Sequence, residues 1–166
     1  MLGLGGFVLL AVSSAFGELE RAVETTATGA WCEGCGVAEQ PHGRRMVRVR
    51  DLPSSGRPAT LLWLNRLWRC AEPACAVWTW SETNKYVRGR ASLTRRARRQ
   101  GCRLVGEDGL DVAAVAAMLG VGWHTVMRAL RDHGRPLVND PARTKGVVAV
   151  GVDETAFLAA NAYGHT

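Results

Sequence analysis

Two closely spaced cysteine pairs constrain this chain more than any other feature of its sequence. Cys32 and Cys35 are separated by two residues in "WCEGCG", and Cys70 and Cys75 by four residues in "WRCAEPACAVW". Each pair offers two thiolates from one tight turn, so a fold that joins the two turns makes a closed tetrahedral zinc site. Two disulfides, or four unrelated buried thiols, are the alternatives, and a reducing compartment disfavours the disulfides. We therefore expect a structural Zn²⁺ on these four cysteines.

The residues around the cysteine pairs predict a small β-sheet. Residues 46–52 and 61–69 favour strands on either side of the turn "PSSGRP", and cysteine pairs at the ends of such a hairpin make a zinc ribbon. Before them, residues 7–13 and 18–25 predict a second hairpin with its turn at 15–17. No Lys or Arg precedes the apolar stretch 2–15, so the basic start of a secretory signal is missing. We expect a cytoplasmic protein with reduced cysteines.

Arginine dominates the positive charge of the chain. The formal net charge is +6, and Lys85 and Lys145 are the only lysines. Guanidinium groups suit bidentate contacts with phosphate, so nucleic acid is the first expected partner and an anionic membrane surface the second. The predicted ribbon strands carry arginines and tryptophans that either follow DNA and stack on its bases or, as we favour for the tryptophans, pack in a core. These residues are Arg44, Arg45, Arg48, Arg50, Arg66, Arg69, Trp63, Trp68, Trp78 and Trp80.

A basic helix is predicted after the ribbon, in "ASLTRRARRQGCRL". Ser92 can cap its start, and small or apolar residues recur at near-helical spacing. Cys102 lies far from both cysteine pairs, and we expect it to be a buried small residue rather than a metal ligand. The remaining faces lack interspersed glutamates, which favours an anionic partner over a merely solvated surface. Their arginines are Arg95, Arg96, Arg98, Arg99 and Arg103.

The stretch "DVAAVAAMLGVGWHTVMRALRDHG" predicts a helix-turn-helix. Asp111 caps the first helix, Gly120 permits a positive φ in the turn 120–122, and Val126 packs the second helix, 123–132, against the first. The second helix of such a motif enters the major groove, whereas a helical hairpin without a role in DNA binding is the alternative. The candidate DNA contacts from this motif and the preceding basic helix are His124, Thr125, Arg128, Arg131, Arg95, Arg96 and Arg99.

An apolar segment and two acids follow the helices, in "GVVAVGVDETAF". Residues 147–152 predict a buried strand that ends at Asp153. Glu154 is the next residue on that strand, so its side chain points to the opposite face and cannot join Asp153 in one site. Taken alone, Asp153 is a solvated acid at the end of a strand.

In their order, six motifs resemble bacterial insertion-sequence transposases of the ISL-three group. The motifs are "WCEGCG", "VRDLPSSGRP", "WRCAEPACAVWTWSE", "ASLTRRAR", "VAAVAAMLGVGWHTVMRAL" and "GVDETAF". The resemblance runs from about residue 7 to the end, and it implies a zinc ribbon, a helix-turn-helix and an RNase H-like domain with an Asp-Asp-Glu triad. It places the first catalytic carboxylate on Asp153. Three carboxylates hold two divalent cations such as Mg²⁺ in full-length members, so we expect this chain to be an inactive, truncated transposase that keeps its DNA-binding modules.

We therefore predict an α+β chain in three parts. Residues 1–85 form a hairpin and zinc ribbon, 88–136 a helix-turn-helix domain, and 144–166 the beginning of a truncated RNase H-like domain. The expected partner is double-stranded DNA without a membrane, and a homo-oligomer on DNA is left open. A small zinc-dependent transcriptional regulator is the second hypothesis, and a zinc-dependent protein-interaction module is the third. A CxxC redox enzyme is disfavoured because the cysteines lack the strand-helix setting of such sites.

Overall fold

The computed structural model describes residues 3–27 and 29–152, and it has an α+β fold, as predicted. Five strands precede three α-helices and a short 3₁₀ helix. The strands are β1 (Phe7–Ala15), β2 (Glu18–Thr25), β3 (Glu39–Ser54), β4 (Arg57–Cys70) and β5 (Thr79–Ser81). The helices are α1 (Arg95–Gly106), α2 (Val112–Leu119) and α3 (Trp123–Val138), followed by the 3₁₀ helix Pro141–Thr144.

The strands form a single mixed sheet in which β4 is central. The order is β1-β2-β4-β3, and β5 pairs with β4. β3 and β4 form a long antiparallel hairpin from Ser54↔Arg57 to Glu39↔Cys70, whereas β2 runs parallel to β4. β3 contains Pro41 and Pro53, and both prolines lie at register shifts of this edge strand. An edge strand with a local bulge tolerates proline, because it forms hydrogen bonds to a neighbouring strand on one side only.

One face of the sheet builds the first hydrophobic core. Val23, Val49, Leu61 and Trp63 are buried on neighbouring strands. Leu4 and Val87 complete the cluster from outside the sheet, and Phe7 meets the Trp63 ring edge to face at 5.7 Å. The preference for core packing is therefore confirmed for Trp63 and Trp68, which are both buried, but it is wrong for Trp78, which is 74% exposed.

The three helices enclose a second core. Its buried residues are Leu93, Ala97, Val115, Ala116, Leu119 and Val126. Asp111 accepts a hydrogen bond from Ala114 N–H at the start of α2, and Gly120 ends α2 with φ +63°, as predicted. A left-handed residue at this position lets its N–H bond back to the last turn, which the Gly120 N–H does with Ala116 and Ala117.

The two cores are joined by backbone pairing between β3 and the segment before α1. Arg50 N–H donates to Ser92 O, and Thr94 N–H donates to Arg50 O. Residues 92–94 are therefore still extended, and α1 begins only after Thr94, whose hydroxyl accepts from Ala97 N–H. The predicted cap at Ser92 is wrong for this reason.

β3, β4 and α3 are longer than the sequence predicts, and the strand predicted at residues 147–152 is not formed. β3 and β4 extend to the cysteine pairs, beyond the predicted 46–52 and 61–69. α3 runs past residue 132 to Val138, and Gly134 still lies beside Cys102 on α1. Residues 147–152 form no strand, and their valines are exposed, since nothing among residues 3–27 and 29–152 pairs with them. A strand requires such a neighbour for its backbone hydrogen bonds.

No single helix within the described ranges is long and apolar enough to cross a membrane. α2 and α3 together meet the length and composition of a span, but they are bent by 107° at the turn between them.

Candidate metal centre and nucleic-acid interface

The four predicted zinc ligands meet at one end of the β3–β4 hairpin. The Sγ atoms of Cys32, Cys35, Cys70 and Cys75 all lie within 4.8 Å of one another. Sγ of Cys32 is 3.6 Å from Sγ of Cys75, and Sγ of Cys35 is 3.4 Å from Sγ of Cys70. A tetrahedron with Zn–S bonds of ~2.3 Å has S···S edges of ~3.8 Å, so the donor set fits zinc.

The local backbone explains why the thiols converge. Cys70 Sγ accepts from Glu72 N–H and Cys75 Sγ accepts from Val77 N–H, each at 3.4 Å. Gly34 lets the two cysteine-bearing turns approach closely, because a Cβ at this position would lie only 2.9 Å from Val77 Cγ2 and 3.2 Å from Cys75 Sγ. Both N–H···S bonds offset negative charge on the sulfurs, as a thiolate ligand requires.

The cysteines differ in how readily they lose a proton. Burial opposes ionisation of Cys32, but the backbone N–H groups of Gly34 and Cys35 outweigh it and lower the pKa of Cys32 to about 7. Burial raises the pKa of Cys70 to about 12. Without metal, Cys32 thus ionises more readily than Cys70, and zinc must displace the proton of Cys70, which makes zinc affinity depend on pH.

The arginines of the ribbon strands are largely neutralised by glutamates of β2. Arg50 pairs with Glu18 at 2.5 Å and Arg48 with Glu20 at 2.6 Å, across the outer face of the sheet. In the same row, Glu24 lies 3.0 Å from Arg44 and 3.1 Å from Arg66. The expectation that these strands form a free basic track is therefore wrong for four of the six arginines, because their charges are already paired. Arg45 and Arg69 are exposed and have no acidic partner among residues 3–27 and 29–152.

Arg96 was expected to contact DNA, but it is part of the joint between the sheet and the helices. Its Nε donates to Asp51 Oδ1 at 2.7 Å, and its terminal nitrogen contacts the other carboxylate oxygen. Asp51 is completely buried and also accepts from the Thr94 hydroxyl at 2.8 Å, with Arg21 3.7 Å away. If Arg96 contacted DNA instead, the buried Asp51 carboxylate would lose this charged partner. Arg96 is therefore a structural residue and not the DNA contact that the sequence predicts.

Four of the predicted contacts lie on α3. His124, Arg128 and Arg131 are exposed, Thr125 is half-buried at the flank, and Val126 is completely buried, as the sequence predicts. Spacings of four and three residues place His124, Arg128 and Arg131 on one helical face. Arg135 continues this row by four residues. Arg135 is absent from the predicted contacts because the sequence predicts that the helix ends at residue 132, before "GRP".

Three adjoining cavities run from the sheet past α3 to α1, and we call their lining the basic band. The first, about 310 Å³, lies between Arg48 and Arg50 of β3 and the start of α3. The second, also about 310 Å³, shares Ser92 and Thr125 with the first. The third, about 110 Å³, is bounded by Arg95, Arg99 and His133, and it shares Arg88 and Arg98 with the second. The band thus brings together Thr125, Arg128, Arg95 and Arg99 of the predicted set.

Asp132 is the single acid lining the second cavity. It lies 3.4 Å from Arg88 and also contacts Arg98, and it thereby ties residue 88 and α1 to α3. His133 follows it in the third cavity. Burial lowers the pKa of His133, and the guanidinium groups of Arg98, Arg88 and Arg99 lower it further against the opposing effect of Asp132. The surroundings of His133 are therefore positive enough to disfavour a further cation.

Sequence analysis also missed Arg90. It lies in the connection from the sheet to α1, near the start of the predicted domain 88–136, where no periodic pattern marks it. A non-glycine φ of +58° and an exposed side chain distinguish it in the structure. The proposed catalytic residue, Asp153, lies outside the described residues.

Two family models match the chain, in the order expected from the motifs. The zinc-finger of transposase IS204/IS1001/IS1096/IS1165 matches residues 28–75, which include all four clustered cysteines. The helix-turn-helix domain of transposase family ISL3 matches residues 83–134, which include α1, α2 and most of α3. No curated protein and no solved structure matches the chain. The resemblance noted in the sequence is confirmed: the chain belongs to the ISL3 transposase family and carries its zinc ribbon and its helix-turn-helix domain.

Proposed function

We propose that this chain binds the terminal DNA of an insertion sequence by placing α3 in the major groove. The observation that carries the proposal is the row of exposed His124, Arg128, Arg131 and Arg135 on one face of α3. The three arginines have no acidic partner among the described residues, although most arginines of the sheet do. Unpaired guanidinium groups on the second helix of a helix-turn-helix suit contacts with guanine edges and phosphates.

The zinc ribbon supports this interface as a structural module in the proposal. Zn²⁺ on the four cysteines holds the end of the β3–β4 hairpin, and β3 in turn pairs with residues 92–94 directly before α1. A cytoplasmic location belongs to the same proposal, because a reducing compartment keeps the cysteines available to zinc. Assembly into a homo-oligomer on DNA and the absence of a membrane partner remain predictions.

A binding selection tests the proposal. The chain should enrich one sequence from a pool of random duplexes, and Arg131→Ala should weaken binding to that duplex by about 1–3 kcal/mol with a smaller loss on random duplex. Arg45→Ala is the matched control, because Arg45 is an exposed arginine without an acidic partner in the described ranges, on β3 and outside the basic band. Equal losses for the two variants on both duplexes would contradict reading by α3.

The catalytic part of the proposal concerns Asp153 only. The family resemblance makes it the first of three metal-binding carboxylates, which together hold Mg²⁺ in a full-length member. Asp153→Ala should therefore leave the affinity for the selected duplex unchanged. A loss of affinity in Asp153→Ala would contradict a purely catalytic role for this carboxylate.

A further inference from the structure

The connection 88–92 presents Arg90 beside the proposed reading helix. Arg88 is held by Asp132 of α3, and Ser92 is held by the backbone of Arg50. Between these two fixed points, Ala91 N–H donates to Arg88 O and closes a tight turn with Arg90 at its tip. The tip is thus fixed at both ends while its side chain remains exposed.

Arg90 and Arg128 line the same cavity from opposite elements. The cavity holds about 310 Å³ and is lined by four arginines, the hydroxyls of Ser92 and Thr125, and one acid. Asp132 engages Arg88 and Arg98, so the two arginines left without an acidic partner in the described ranges are Arg90 and Arg128. Four guanidinium charges and one carboxylate leave an excess of positive charge, and hydroxyl donors lie beside it.

We propose that this cavity is a phosphate clamp, in which Arg90 and Arg128 hold one backbone phosphate of the DNA that α3 reads. Arginine forks donate two parallel hydrogen bonds to phosphate oxygens, and the Thr125 and Ser92 hydroxyls supply further donors. Arg90 thereby contributes affinity and fixes the position of α3 on the duplex, whereas base edges carry the sequence preference. The clamp rests on the proposed function, since it requires α3 to lie against DNA.

The backbone of Arg90 provides a clean variant. Its φ of +58° favours glycine, so Arg90→Gly removes the side chain and relieves an unfavourable conformation. The variant should keep the fold, which thermal unfolding checks. Arg90→Lys keeps the charge but loses the fork, and Arg45→Ala on β3 controls for the loss of any exposed arginine.

The expected result is a loss of about tenfold in affinity for Arg90→Gly, equal on the selected duplex and on random duplex. The slope of log affinity against log salt should become shallower by about one, because one phosphate contact is gone. Arg90→Lys should fall between wild type and Arg90→Gly. Arg45→Ala should change neither quantity by as much.

Neutral phosphates locate the contact. Single methylphosphonate substitutions are placed along the selected duplex, and one position should weaken binding by wild type but not by Arg90→Gly. If the Arg90→Gly losses match those of Arg45→Ala, or if no position shows this non-additivity, the clamp is wrong even when α3 reads the sequence.

A wild-type chain that binds random duplex but enriches no sequence contradicts the proposed reading of sequence by α3. The salt slope of Arg90→Gly on random duplex still decides the clamp in that case. Absence of binding to either duplex overturns both.

Discussion

Asp51 shows how one buried charge sets the roles of the residues around it. Its carboxylate is completely buried, and Arg96, Thr94 and Arg21 surround it from α1, the extended segment before α1 and β2. Removing one partner of a buried ion pair is costly, because the remaining charge has lost its water without compensation. The arginines of α1 therefore divide into structural and solvent-facing residues.

We predict that Arg96→Ala lowers the free energy of unfolding by about 3 kcal/mol, measured by urea denaturation. Arg95→Ala is the matched control on the same helix turn, where an exposed arginine without an acidic partner within the described ranges should change stability by less than about 0.5 kcal/mol. The order should be reversed for DNA affinity: per folded molecule, Arg95→Ala should bind DNA more weakly than Arg96→Ala. Equal stability of the two variants would show that Asp51 does not need Arg96.

The pKa of His133 should report phosphate in the basic band. Burial and the positive charges of Arg98, Arg88 and Arg99 lower its pKa below the ordinary 6.5 in the free protein. Bound phosphates offset those charges and raise the pKa, so the complex takes up protons and binding strengthens as the pH falls through the pKa that His133 has in the complex. NMR titration of the His133 ring with and without the selected duplex measures the shift, and His133→Gln identifies the signal. An unchanged midpoint in the complex would place the DNA away from the third cavity.

The sequence predicted individual contacts only where they depend on local pattern. The inward position of Val126 and the exposure of Arg128 follow from helical periodicity, which neighbouring residues determine. The pairing of Arg96 with Asp51 spans 45 positions of the chain and depends on how β3 meets α1. No periodicity reveals that distance, so the sequence placed Arg96 with the other arginines of α1.

At the scale of elements, the same distinction separates correct from incorrect bounds. β1, β2 and α2 were predicted within a few residues, because turn glycines and caps mark their ends. The parallel pairing of β2 with β4 and the length of β3 depend on contacts between distant segments, and the cysteine cluster holds the far end of the hairpin together. The strand expected at residues 147–152 had a suitable composition but no described partner.

The turn between α2 and α3 offers two glycines with opposite requirements. Gly120 has φ +63°, and a Cβ there would lie 3.2 Å from Cζ of Arg50. We predict that Gly120→Ala lowers the free energy of unfolding by about 1–2 kcal/mol, because it strains the backbone and displaces Arg50. Gly122 is the control: its φ is −74°, nothing lies within 4 Å of an added Cβ, and a serine there can cap α3.

Gly122→Ser should therefore stay within about 0.5 kcal/mol of wild type. Thermal unfolding of both variants gives the comparison. Equal stability of the two variants would mean that the turn adapts to a side chain at either position, and that the left-handed residue is not needed to set the angle between α2 and α3.

For the whole molecule, the β3–β4 hairpin separates the metal centre from the basic band. Glu39 of β3 pairs with Cys70 at the metal centre. Asp51, at the joint with the helices, lies twelve positions further along β3, which corresponds to ~40 Å of extended strand. The hydrophobic core around Leu61 and Trp63 lies between them, and the helices have their own core. The molecule therefore has a metal-dependent end and an end that carries the proposed DNA interface, with an apolar core between them.

This arrangement predicts that zinc loss unfolds one end of the molecule and leaves the other in place. Cys35→Ser should lose bound zinc and lower the unfolding temperature, whereas Cys102→Ala, which alters a buried thiol of α1, should keep one zinc ion per chain. Because α3 and the joint at Asp51 have their own packing, affinity of Cys35→Ser for the selected duplex should fall less than about threefold at a temperature where the helices remain folded. Metal analysis, circular dichroism and DNA titration on the same samples measure all three quantities. If DNA affinity falls in proportion to zinc content while the helical signal is unchanged, the metal end itself contacts DNA, and the interface extends along the whole hairpin.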